Sequence, residues 1–179
     1  MRDRLSNLLA VLATGLADEQ RRATAAATGL SDSGVAAVIA LAQFLGGARI
    51  GDVANVLGLS HSGAVRLVGH LVQGRIARRV GLSDGREVGV QLTERGRQLA
   101  EAAASARAAA ADAVMSGLDE AQRAELEHLL GLLVAAHTRN RLERRARTDE
   151  PAAWLCRTCD LVACGRADGR CPAAGAVSG

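Results

Sequence analysis

Between residues 49 and 92 the spacing of apolar residues switches from helical to alternating, and the order of the two patterns admits few folds. Residues 49–57 put Ile50, Val53, Ala54 and Leu57 on one helical face. Gly58 allows a tight turn, and Ser60 is placed to cap the next helix, 61–73, which would bury Ala64, Leu67, Val68 and Leu71. Helix, glycine-containing turn and capped helix form the helix-turn-helix pattern. The spacing then shortens. Ile76 to Val80 and Val88 to Leu92 are short, roughly alternating runs, and Ser83-Asp84-Gly85 between them is a strong turn signal, so the stretch predicts a β-hairpin.

The flanks read as helices. Residues 3–27 carry Leu5, Leu8, Leu9, Leu12 and Leu16 on one face. Residues 34–45 carry Val35, Val38, Ile39, Ala42 and Leu45, and Gly46-Gly47 ends them. Thr93 caps an alanine-rich helix running to about 116. Asp119 with Gln122 forms a capping box for a last helix to about 147, whose apolar face holds Leu126, Leu129, Leu130 and Leu133. Pro151 marks the boundary that follows. With Phe44 and Trp154 as its aromatic residues and no tyrosine, the chain must build its core from Ala, Leu and Val. That favours close-packed helices over a β-sandwich, and it argues against an aromatic platform for single-stranded nucleic acid. The expectation is a mainly α fold over residues 1–147, then a cysteine-rich module over 148–179 that ends in a disordered stretch at 173–179.

The segment from Val53 through His61 to Val68, then Ile76-Ala-Arg-Arg79, the Asp84-Gly-Arg86 tip, and Val90-Gln-Leu-Thr-Glu-Arg-Gly96 together resemble the MarR family. The resemblance covers roughly residues 1–147. It implies a winged helix-turn-helix with N- and C-terminal dimerisation helices and a small hairpin wing. It also implies a homodimeric DNA-binding transcriptional regulator, typically a repressor. Two departures stand out. Arg75 occupies a position where the family usually has glycine, so Gly74 is expected to shift the turn by one residue. Glu87 replaces a frequent second wing arginine. The family's phenolic-ligand pocket does not carry over to a chain so poor in aromatic residues.

On this reading the partner is double-stranded DNA. Ser60, His61, Ser62 and Gly63 start the recognition helix, and Arg66 follows one turn on, within reach of guanine or phosphate. Arg86 at the wing tip would meet backbone or minor groove, held by Asp84, with Arg78 and Arg79 flanking the strand. All 22 basic residues are arginine, and the net charge is only +3, so their distribution matters more than their sum.

All four cysteines, Cys156, Cys159, Cys164 and Cys171, fall in one C-x2-C-x4-C-x6-C run. So polar a tail has too little apolar mass to bury them as core residues. Four thiolates suit a closed tetrahedral Zn²⁺ site or an iron–sulfur cluster. The alternative is metal-free, redox-active thiols, which Arg157, Arg166 and Arg170 nearby would favour. The module could also dock a protein partner, and Trp154 just before it is expected to anchor it to the helical body. A small-molecule or redox effector is expected. No nucleophile–base pair or paired-carboxylate arrangement appears, so no enzyme is expected. No apolar run reaches membrane-span length, and the reading is cytoplasmic, without membrane contact.

Overall fold

The computed structural model describes residues 3–82, 88–147 and 153–178. Seven α-helices, one 3₁₀ turn and a small antiparallel sheet make up these residues: α1 Arg4–Thr28, α2 Asp32–Gln43, β1 Ala48–Arg49, α3 Ile50–Leu57, α4 His61–Gln73, β2 Ala77–Gly81, β3 Val88–Leu92, α5 Glu94–Val114, α6 Glu120–Arg147, the 3₁₀ turn Leu155–Thr158, and α7 Pro172–Ser178. This is the mainly α winged helix-turn-helix anticipated from the sequence.

α2 is the centre of the molecule. Ser31 caps it by accepting from the Gly34 N–H at 3.3 Å, and seven consecutive residues, Val35 to Leu41, are buried. A helix apolar all round belongs in a core. The pattern had suggested one inward face and a helix reaching Leu45. Instead α2 begins at Asp32, because Ser31 rather than a later residue supplies the cap, and it ends at Gln43. Around it pack Val53 and Leu57 of α3, Val68 and Leu71 of α4, Val90 and Leu92 of β3, and Ala100 of α5. α5 in turn lies along α1.

β1 is an element the sequence did not show. It pairs with β3 through Ala48 opposite Val90 and Arg49 opposite Gly89, giving the sheet order β1-β3-β2. The close approach depends on Gly89, where a Cβ would lie 2.4 Å from the Gly47 carbonyl oxygen. A second close approach joins sheet to helix. Thr93 caps α5 by accepting from the Gly96 N–H, while its hydroxyl donates to the carbonyls of Arg75 and Ile76. A Cβ on Gly96 would sit 2.1 Å from the Ile76 carbonyl oxygen, a backbone atom unable to swing aside. Gly96→Ala is therefore expected to cost ~3 kcal/mol, roughly 6–12 °C in melting midpoint by calorimetry. A midpoint unchanged from the parent chain would contradict this packing.

The expected shift of the turn to Gly74 does not occur. Gly74 has φ −73°, and Arg75 itself takes the left-handed conformation at φ 56°. The disordered stretch expected at 173–179 is likewise corrected, since α7 occupies Pro172–Ser178 and packs on α6. Short, alanine- and glycine-rich segments carry no helical period to read, and α7 is held by tertiary contact.

α6 buries none of its residues, and it exposes Leu129, Leu130, Leu132 and Leu133. The first half of α1 exposes Leu5, Leu8, Leu9, Val11 and Leu12. Among the described residues no single helix is long and apolar enough to cross a membrane. α1 and α2 reach that apolar content only together, across a 76° bend.

Candidate nucleic-acid interface

α3 ends at Gly58, whose φ of 65° turns the chain back sharply. The Ser60 side chain accepts from the Gly63 N–H at 3.1 Å and starts α4 at His61, as its position predicted. α4 buries Ala64, Val68 and Leu71 against the core. The opposite stripe, Ser62, Val65, Arg66 and Gly69 at i, i+3, i+4 and i+7, faces outward, with only Gly69 partly covered. His61 is exposed at the helix start, and Ser60 and Ser62 share a side-chain hydrogen bond at 3.2 Å. Arg66 is exposed and makes no hydrogen bond or ion pair among the described residues.

The hairpin stands beside this helix. Arg78 lies opposite Gln91 in the register and donates to its Oε1 at 2.7 Å, which fixes that guanidinium along the sheet surface. Arg79, opposite Val90, is also exposed. The wing-tip residues Asp84 and Arg86 lie outside the described residues. Sequence reasoning missed Val65 and Gly69. The signal was available, since both follow from the helical period once Ala64 and Val68 are assigned to the core.

The cysteine module folds against the back of this unit. The Trp154 N–H donates to the Val56 carbonyl of α3 at 2.8 Å. Its ring stacks on Phe44 with centroids 6.3 Å apart and planes within 11° of parallel, so the chain's two aromatic residues meet. The Leu161 N–H donates to Gln43 Oε1 at 3.1 Å, and Arg145 of α6 donates to Asn55 Oδ1 of α3 at 2.9 Å. The module thus ties α6 to the first helix of the helix-turn-helix.

Within it, the Asp160 carboxylate accepts from the N–H groups of Val162 and Ala163, and Gly165 and Gly169 take left-handed turns at φ 65° and 71°. All four cysteines are free thiols; Cys171 is buried and the others are partly buried. They sense one another. Burial, then the neighbouring Cys164, push Cys159 up to about 12. Burial and Cys171 also raise Cys156, against the pull of Arg166. Burial opposes ionisation of Cys171, but N–H groups of Ala174 and Ala173, the Cys164 thiol and the Arg166 guanidinium together bring it below the ordinary thiol value. The fold therefore gathers the four predicted ligands into one module. Among the described residues no three Cys, His, Asp or Glu side chains already stand in metal-ligating geometry.

No protein-family model and no curated protein matches the chain. Solved structures do. A MarR-family protein from Bacillus stearothermophilus superposes with a TM-score of 0.64 at 19% identity, covering 83% of this chain and 99% of its own. MepR, a transcription regulator of the Staphylococcus aureus multidrug efflux pump MepA, gives 0.65 at 17% identity, covering 73% and 96%. A MarR-family transcriptional regulator from Rhodococcus sp. gives 0.57 at 22%, covering 73% and 94%. What they share with this chain is the fold, the winged helix-turn-helix of MarR-family transcriptional regulators.

Proposed function

We propose that this chain is a DNA-binding transcriptional regulator that acts as a homodimer in the cytoplasm, repressing by occupying its operator. The observation that carries the reading is the outward stripe of α4, with Arg66 unpaired among the described residues. Ser62 and Gly69 let the helix approach base edges closely. Arg66 can give two parallel hydrogen bonds to guanine, and Val65 offers an apolar contact for a thymine methyl. Arg78, braced by Gln91, and Arg79 suit phosphates beside the groove. Arg86, with Asp84 two residues before it, would extend the contact to the adjacent backbone or minor groove. The exposed leucines of α1 and α6 would be covered by a second copy of the chain, which places two recognition helices on successive turns of one duplex face.

The experiment is affinity selection from a random duplex pool, followed by titration of the enriched site. Arg66→Ala should weaken that site by ~10- to 100-fold, equivalent to ~1–3 kcal/mol, and relax preference at one base pair. Failure to enrich any site, or equal binding by the variant, overturns the reading.

The same proposal extends to the module. Four free thiols on one short fold suit a structural Zn²⁺ held by Cys156, Cys159, Cys164 and Cys171, with Arg166 offsetting the thiolate charge. Thiolates form as the metal displaces the protons, so closure requires the side chains to swing together. Protein purified without oxygen should be colourless with one zinc per chain. Brown protein containing iron and sulfide, or metal-free protein with four rapidly titrating thiols, rejects zinc.

A further inference from the structure

A cavity of about 410 Å³ lies between the C-terminal half of α6, the segment around Trp154, and α7, on a part of the molecule that the α4 stripe does not reach. Its volume is within the range of small-molecule sites. Leu142 of α6, Trp154, Leu155 and Val177 of α7 give it apolar walls. Three guanidiniums also line it, those of Arg141, Arg145 and Arg166, and among the described residues no acidic side chain does.

These cations are only partly used by the protein. Arg141 donates to the Ala153 carbonyl and Arg145 to Asn55, one N–H each of the five a guanidinium carries. None of the three forms an ion pair among the described residues. Guanidiniums set against low-dielectric walls concentrate an anion, and their planar forks match a carboxylate with two parallel bonds. An anion that is polar throughout would leave the walls wet, and a neutral apolar molecule would leave the cations without a partner.

We propose that this cavity binds a free organic carboxylate with an apolar body, one per chain, the carboxylate between the arginines and the body against Trp154 and Val177. The site stands apart from the DNA-binding reading and would survive its failure. Two of its lining residues, Arg145 and Trp154, also hold α3, so an occupant touches the contacts that seat the module on the helix-turn-helix.

The test uses the full chain as purified, with decanoate as the probe in titration calorimetry and decanol and decylamine as controls. Decanoate should bind one per chain, decanol at least tenfold more weakly, and decylamine not at all. Val177→Trp, which fills the cavity from an exposed position on α7, should weaken decanoate at least tenfold without changing the melting midpoint. Arg145→Gln and Arg166→Gln should each weaken decanoate at least tenfold while leaving decanol unchanged, which keeps the test decisive should the tryptophan variant misfold. Absence of decanoate binding, equal binding of decanol, or undiminished binding by the arginine variants would each overturn the proposal, the last by placing the ligand on the exposed leucines of α1 and α6.

Discussion

Gly58→Ala is expected to lift the cysteine module off the helix-turn-helix. Two costs fall on this one methyl group. The residue sits at φ 65°, where an L side chain is disfavoured by ~1–2 kcal/mol. The added Cβ would lie 2.4 Å from the backbone nitrogen of Ala153 and 2.8 Å from its Cα, so no flexible side-chain tip can yield. Either the turn between α3 and α4 deforms or Ala153 retreats. α3 and α4 are fixed through Val53, Leu57, Val68 and Leu71 in the core, so Ala153 should move. The next residue is Trp154, whose N–H bond to Val56 and stacking on Phe44 would be lost together. The total penalty is ~3 kcal/mol or more. Because Trp154 is the chain's one tryptophan, its fluorescence reports the event directly, and emission should move to the red with increased quenching by added iodide. Trp154→Ala should give a comparable loss of stability with no strain in the turn, which separates undocking from damage to the DNA-binding unit. If Gly58→Ala keeps the parent emission spectrum, the docked module is wrong.

The parts of this molecule that could be read from the sequence are those fixed by local chemistry. α4 falls on residues 61–73 because Ser60 caps it and the apolar period continues to Leu71. β3 falls on Val88–Leu92 because alternation and a turn signal bracket it. What could not be read depends on partners distant in the chain. β1 is two residues long and exists because β3, some forty positions later, supplies its hydrogen bonds. The seat of the module joins Gln43 to Leu161 and Val56 to Trp154, pairings that no periodicity encodes. The same holds for function. Arg66 was identifiable as a candidate from its place one turn into α4, whereas Arg141 and Arg145 carried no local signal and Arg166 was read only against the cysteines, until folding brought the three round one cavity. The cysteines lie between these cases. Their spacing suggested a shared centre, but nothing in it showed that the module would rest against the turn of the helix-turn-helix.

DNA affinity should fall by ~10³–10⁵-fold between 50 and 200 mM monovalent salt, provided the dimer neutralises about 6–10 phosphates. The count comes from the interface. Arg78 and Arg79 beside the proposed groove, with Arg86 as the proposed wing contact, are three phosphate-directed guanidiniums per chain, six in a dimer. Their effect must be local, because the whole chain carries a net charge of only +3 and offers little long-range attraction. Most of the binding free energy would then come from counterion release, and the slope of log affinity against log salt counts the contacts. Dimerisation enters the same measurement. Leu129→Glu with Leu133→Glu puts two charges on the exposed face of α6 and should leave a monomer by sedimentation, with a slope about half that of the parent. Arg79→Ala should lower the slope by about two per dimer without altering which bases are preferred, because a phosphate contact carries no sequence information. Loss of preference in that variant would mean that Arg79 reads a base. A parent slope near zero would mean that the outward stripe of α4 meets something other than a polyanion, and the DNA-binding reading would fall with it.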